Sequence, residues 1–348
     1  MRALRRVFLH CVFYRTVLLT MENVSYVPLK DPIVFELEGF EIPPGQGLLL
    51  FFLALLNYTV VVLANGVVVG VIIVDRVLHR PMYMMVCNLA SCDMMGATAV
   101  LIHLMVHFLT GNNSISYNSA IAQAFTVHFY GVSAQTVLSV MAYDRYLAVC
   151  HPLRYHALMT HSKLLFSCSL AWAVAFLCIG VLFSLNVGVP LCGTVIKHVY
   201  SSNRSILALS CAPTPANNIY GLCMTWTVST GTFLIIAFCY VKILHACVKS
   251  SADRGSYSKA LQTCATHLVI ITYVIYELAA AIIILSQRFD SISQNIKKFC
   301  GILFIIVPPT INPIIYGLVT KELRTSILRQ FTKLCSTHKI QDVQLITK

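Results

Sequence analysis

Seven long apolar runs succeed one another along the chain, at approximately 48–74, 82–108, 119–143, 164–189, 216–241, 260–285 and 299–320. Each is long enough to cross a bilayer as a helix, which takes about 20 mostly apolar residues. None alternates polar and apolar positions as a barrel strand would. A helix satisfies its own backbone N–H and C=O groups where no water can reach them. The pattern therefore predicts an all-α membrane protein, a seven-transmembrane helix bundle. The connections are short, so neighbours in sequence should be neighbours in space. The runs divide the chain into a leading segment 1–47, a seven-helix domain 48–320 and a trailing segment 321–348. In the last, Leu323, Ile327, Phe331 and Leu334 fall at helical spacing among basic residues, which predicts a short amphipathic helix on the membrane surface. Residues 1–20 are basic, but Arg15 interrupts them and no small-residue cleavage site follows. They read as an extension ahead of Met21 rather than a signal peptide.

Composition agrees. The chain is 57% hydrophobic and 11% charged, against roughly 25% charged in soluble domains. Its net charge of +12 lies mostly in loops and the tail, which points to membrane topology rather than to nucleic acid. One side of the predicted membrane carries 15 Lys and Arg and the other 10, so the positive-inside rule puts the C-terminus in the cytoplasm and the N-terminus outside. The glycosylation sequons at Asn23, Asn112 and Asn203 all fall on the outer side. A fourth match, at Asn57, lies inside the first run.

No catalytic constellation, glycine-rich phosphate loop or clustered metal-ligand motif occurs, so neither an enzyme nor a bound cofactor or metal is expected. Lys297 and Lys298 precede the seventh run, so no Lys sits deep in it to hold retinal. A transporter or channel would want ionisable residues along a pathway. The runs hold only two formally charged residues, the acids Asp93 and Glu277.

The third run ends on an adjacent acid and base, Asp144 and Arg145, followed by a basic loop with a proline. An isolated Arg there would be a snorkelling interfacial cation. The context is richer. "MAYDRYLAVCHPLRY" (141–155) resembles the signature of odorant receptors, a branch of the rhodopsin-like G-protein-coupled receptors. "PMYMMVCNLASCD" (81–93), "KALQTCATHL" (259–268) and "PPTINPIIYG" (308–317) resemble that family's second, sixth and seventh helices, in order. The seventh-helix wording is most similar to fish-type members. The resemblance covers roughly residues 23–335.

It implies a receptor in the plasma membrane that binds a small-molecule odorant in the outer half of the bundle and activates a heterotrimeric G protein of the stimulatory olfactory type. A receptor for an endogenous small molecule in another tissue is the alternative, and a seven-helix transporter or channel a remote one. Asp144, Arg145 and Tyr146 would form the coupling switch. Asn312 and Pro313 would form a hinge, since Pro removes a helical hydrogen bond, and Tyr316 would swing inward. Asn65 and Asp93 would belong to the polar core. Asp93 is either a sodium ligand or a protonated or water-bridged acid, because the third-helix Glu frequent in the family is Ala134 here. His128, Glu277 and Arg288 are the ligand-pocket candidates; each also has a bland reading, as a packing, interhelical or interfacial residue.

The resemblance also implies a Cys192–Cys211 bridge within the second outer loop. The usual bridge from that loop to the third helix should be absent, because its two positions hold Ala120 and Ser201. The loop is then expected to be less firmly fixed over the pocket. Cys335 is a palmitoylation candidate.

Overall fold

The computed structural model describes residues 28–29, 33–40, 42–43, 45–250 and 293–332. The sixth run, with Glu277, lies outside the described residues, as do Arg288, Asn23 and Cys335. The other six runs are helices: α1 Gly47–Val74, α2 Pro81–Thr110, α3 Tyr117–Cys150, α4 His161–Ser184, α5 Pro215–Ser250 and α6 Gln294–Val319. A seventh, α7, covers 321–332 and is the expected amphipathic helix, with Leu323 buried and Leu328 and Phe331 exposed.

Local chemistry sets the ends. Pro81 opens α2, where its missing N–H is no loss. Gly111 ends it in the left-handed conformation at φ 71°, which glycine adopts without strain. Ser116 and Thr160 cap α3 and α4 by accepting the Ser119 and Lys163 amides. α6 begins five residues earlier than the hydrophobic run suggests, so Lys297 and Lys298 lie in the helix, and both are buried.

α3 packs against α2, α4 and α5, and α6 against α1 and α2. α1, α2, α4, α5 and α6 are each long and apolar enough to cross a membrane; α3 is not. The reason is position. α3 has neighbours on several sides and buries Gln123, Ser133, Gln135, Ser139 and Asp144 along its length, whereas α1 turns Leu49, Phe52, Leu56 and Leu63 outward. In water that face would be a large sticky patch; in a bilayer it is ordinary. Gly96 of α2 admits the ring of Tyr130, which a Cβ there would meet at 2.5 Å. On α4, the Trp172 indole donates to Asn88 Oδ1 of α2 at 2.9 Å.

The hydrophobic pattern does not announce a small sheet at one end. β1 (Val34–Leu37), from the leading segment, lies between β2 (Ser114–Ser116), antiparallel, and β3 (Val195–Ile196), parallel. Phe35 and Leu37 point into a core with Ile115, Ile179, Phe183 and Ile196. The leading segment is thus the central strand joining two interhelical loops.

Candidate functional site

The two ends of α3 carry different chemistry. At the disulfide end a cavity of about 250 Å³ opens among α3, α5, α6 and the α4–α5 loop. Val127, Leu182, Leu222, Met224 and Phe304 supply its apolar wall, and His128, Gln135, Asn203 and Asn217 its polar points. Apolar walls with few polar groups suit a small amphiphile.

The loop over this cavity is fastened in a way the sequence did not reveal. Cys192 and Cys211 are bonded, and that bridge stays within the loop. Ala120 and Ser201, which stand where the family's second bridge would be, are both buried. Yet the loop is tied to α3. Ser201 N–H donates to Gln123 Oε1 at 2.7 Å, and Gln123 Nε2 donates to the Ala99 carbonyl of α2 at 2.9 Å. Asn203 N–H donates to His128 Nε2 at 3.2 Å. Three buried asparagines then close a ring. Asn186 donates to Asn203 at 2.7 Å, Asn203 to Asn217 at 2.7 Å, and Asn217 to Asn186 at 2.6 Å; Asn217 also reaches the Leu182 carbonyl at 3.1 Å. The ring joins the end of α4, the short helix Asn203–Leu207 and the start of α5. Neutral hydrogen bonds thus tie the loop to α3 where no bridge does.

The same ring bears on the sequons. The Asn203 amide nitrogen donates to Asn217 and the residue is buried, so the folded chain presents no free acceptor there. Asn112 is exposed, and its Oδ1 accepts from Ser114.

At the other end of α3, Asp144 is fully buried. Arg145 Nη2 lies 3.1 Å from its Oδ2. The Tyr155 hydroxyl, from the one-turn helix Tyr155–Leu158 in the following loop, donates to Oδ1 at 2.6 Å. Tyr155 was not among the sequence candidates; its place eleven residues after Asp144, in a loop, carries no periodic signal. The Tyr146 hydroxyl meets His151 Nε2 at 3.2 Å. Nearby, Asp75 accepts from Ser326 and Arg329 of α7, and Tyr83 donates to Glu322 at 3.4 Å. These contacts dock α7 on the α1–α2 turn. The Ser326 hydrogen bond leads the contacts that hold the Asp75 carboxyl below its usual range, against the opposing effect of burial.

Between the ends, Asn312 Nδ2 donates to Asp93 Oδ2 at 2.8 Å. Asn65 donates to the Val61 and Pro309 carbonyls at 2.9 and 3.0 Å, and the latter is a carbonyl in the proline-bearing part of α6. Pro308, Pro309 and Pro313 all lie inside α6, and Tyr316 is buried. No group of three His, Cys, Asp or Glu that could hold a metal occurs among the described residues.

A long buried helix with a cavity at one end and an acid–base pair at the other, braced by a proline-broken partner, has the organisation of a rhodopsin-like receptor. The chain superposes on squid rhodopsin with a TM-score of 0.66 at 15% identity, covering 86% of this chain and 84% of that one; the fold is the seven-helix receptor bundle. Residues 53–334 match the family model described as olfactory receptor. Human Olfactory receptor 2A25 is 31% identical over 86% of this chain and 96% of its own length, and mouse Olfactory receptor 2A7 is 31% identical over 85% and 94%. Human Olfactory receptor 2A12 is 29% identical over 85% and 94%. The chain belongs to the olfactory receptor family of G-protein-coupled receptors. These are multi-pass plasma-membrane proteins and not enzymes.

Proposed function

We propose that this receptor binds a small odorant in the cavity at the disulfide end and activates a stimulatory, olfactory-type G protein at the Arg145 end. The disulfide end faces outside and the Arg145 end the cytoplasm; the larger count of Lys and Arg on the latter side supports this orientation. Residues 48–320 form the receptor domain, 1–47 the outer segment and 321–348 the cytoplasmic helix and tail.

One observation carries the reading. His128, on the cavity wall, and Arg145, in the ion pair, stand seventeen residues apart on one helix, about 25 Å at 1.5 Å per residue. A ligand that shifts α3 against α5 or α6 therefore acts on both ends of one rigid body. In the resting arrangement Asp144 is held by two partners, Arg145 and Tyr155. Loss of those contacts frees the guanidinium to meet a partner helix, while the Asn312–Pro313 break lets α6 bend and Tyr316 move. Asn65 and Asp93 fasten α1 and α2 to α6 across that break. No step of this scheme runs through a sodium ion. His128 contributes by lining the cavity; Glu277 and Arg288 are proposed as further ligand contacts.

The test is a panel of odorants screened for cAMP in cells expressing the full chain. Arg145→Ala should abolish the ligand-stimulated response while surface delivery stays measurable. Full signalling by that variant would sink the switch. Leu222→Trp, which fills the cavity, should remove or weaken every response, and unchanged dose–response curves would place the ligand elsewhere.

A further inference from the structure

A second, polar cavity adjoins the first. It is about 390 Å³ and lies between the α4–α5 loop and the start of α6. His198, Arg204, Leu207 and Asn218 line both cavities, so the two are neighbours. Among the described residues its lining includes three cations, Lys197, Arg204 and Lys297, and no Asp or Glu.

The two lysines that begin α6 differ in one respect. Lys298 is buried and its ammonium sits 2.7 Å from Glu38 Oε1, beside the β1 strand. Lys297 is 6% exposed and lines the cavity. Among the described residues its ammonium has no carboxylate, hydrogen-bond or aromatic partner, while its backbone bonds to Ser293 and His198. Its carbon stem is packed away, while its ammonium keeps contact with accessible space. Lys297 also lies at the positive end of a 26-residue helix whose first turn holds no acid and whose cap, Ser293, makes no side-chain hydrogen bond. A space lined by cations beside such a helix end suits an anion. His198 does not add a charge. Burial, reinforced by nearby Lys298, pushes its imidazole down to about 4, so it is neutral at physiological pH and presents the space as a wall.

We propose that Lys297, with Lys197 and Arg204 at the rim, forms an oxyanion-binding vestibule, and that the receptor's ligand is a small amphiphile carrying a terminal carboxylate or comparable oxyanion. The anionic head meets Lys297; the apolar body enters the deeper cavity against Leu222, Met224 and Phe304. The proposal rests on the ligand-site reading above and names the ligand class for it. Lys297 is the specificity-determining residue, because its stem is held by packing and its ammonium is left without a protein partner among the described residues. Lys197 and Arg204 are exposed and act by attraction at longer range, which salt weakens.

The probes are matched sets of carboxylate, alcohol and amine on the same straight, branched and aryl bodies of about six to twelve carbons, sized to a cavity of this order. They are applied to the full chain in cAMP-reporting cells, with surface delivery measured for every variant. Carboxylates should supply the active compounds, with the matched alcohols and amines weak or silent. Lys297→Gln should raise their half-maximal concentration at least about tenfold, the worth of one charge-assisted contact, and Lys297→Arg should restore most of it. Arg204→Gln, at the exposed rim, should shift it by only a few-fold and serves if Lys297→Gln is not delivered. Alcohols or amines that match the acids would overturn the proposal, as would a panel with no active carboxylate or acid responses indifferent to all three substitutions. The ligand-site reading fails separately: acids that discriminate at Lys297 but ignore Leu222→Trp would keep the vestibule and refute the deep cavity.

Discussion

The two ends of α3 are held by different kinds of contact. At the disulfide end the loop is fastened by amides and a hydroxyl-free ring: Gln123 to Ser201, His128 to Asn203, and Asn186, Asn203 and Asn217 to one another. At the Arg145 end the fastenings centre on carboxylates, Asp144 with Arg145 and Tyr155, and Asp75 with Ser326 and Arg329. A buried amide ring has no better partner to exchange for, and opening it strands several polar groups. An ion pair whose Arg is partly exposed can be traded for a docking protein, provided that the buried carboxylate keeps a partner. The first kind of contact makes a frame and the second makes a latch. A receptor needs the frame where shape is read and the latch where a partner must be admitted.

The comparison breaks most sharply at the ring. Asn217→Leu leaves the Asn186 oxygen, the Asn203 amide and the Leu182 carbonyl without their partner, at roughly 1–3 kcal/mol for each buried group left unsatisfied. The thermal midpoint of purified receptor should fall by several degrees, and a midpoint equal to wild type would mean that the ring carries no load.

Acid should separate the two ends. The His198 imidazole, in the loop, is held at about 4 in the fold against about 6.5 unfolded. Its lowered value favours the neutral form, so the stability is present above about pH 6.5 and is lost as pH falls toward 4. The loss at pH 5 is about 2 kcal/mol at 1.36 kcal/mol per unit. The Asp75 carboxyl, also lowered, behaves in the ordinary acidic way: its contribution is present above the unfolded value and disappears only as pH falls below that, through the folded one. Hydrogen exchange measured from pH 7 to 5 should therefore loosen residues 195–203 first and leave the α7 contact protected. Simultaneous loosening would contradict the assignment, and His198→Gln should remove the early phase.

Gln123→Ala tests the tie to α3 alone. It strands the Ser201 amide and the Ala99 carbonyl, for roughly 1–2 kcal/mol. Exchange should rise at 199–203 and stay unchanged in the loop holding Tyr155; a uniform rise would indicate global destabilisation instead.

The latch should give the smallest change in stability and a visible change in signal. Tyr155→Phe removes one hydrogen bond to Asp144, worth about 1 kcal/mol, which corresponds to a several-fold rise in basal cAMP per receptor at the surface. Basal activity at or below wild type would remove Tyr155 from the resting lock.

Much of this was legible along the chain. Periodicity and length predicted the spans, because the bilayer demands about 20 apolar residues of any helix that crosses it. The motif residues Asp144, Arg145, Asn312 and Pro313 could be found because their spacing is local. The Cys192–Cys211 bridge followed from the family resemblance, and the structure contains it. Legibility failed where partners are distant. The start of α6 was placed too late because Lys297 and Lys298 look like loop residues, and only their surroundings make a buried position tolerable, with Glu38 supplied from about 260 residues away.

What the sequence by itself determined is the bundle, the order of its helices and the chemistry at the end of α3, since these follow from hydrophobic length and from residues close in the chain. Only the tertiary structure decided that the leading segment becomes the central strand of a sheet, that three asparagines on three different elements close a ring, that Gln123 ties the loop to α3 where no bridge does, and that one lysine of an adjacent pair meets Glu38 while the other lines a cavity. Hydrogen bonds and ion pairs act over about 3 Å, so their partners are chosen by which elements the packed helices bring that close, and no local pattern records the choice.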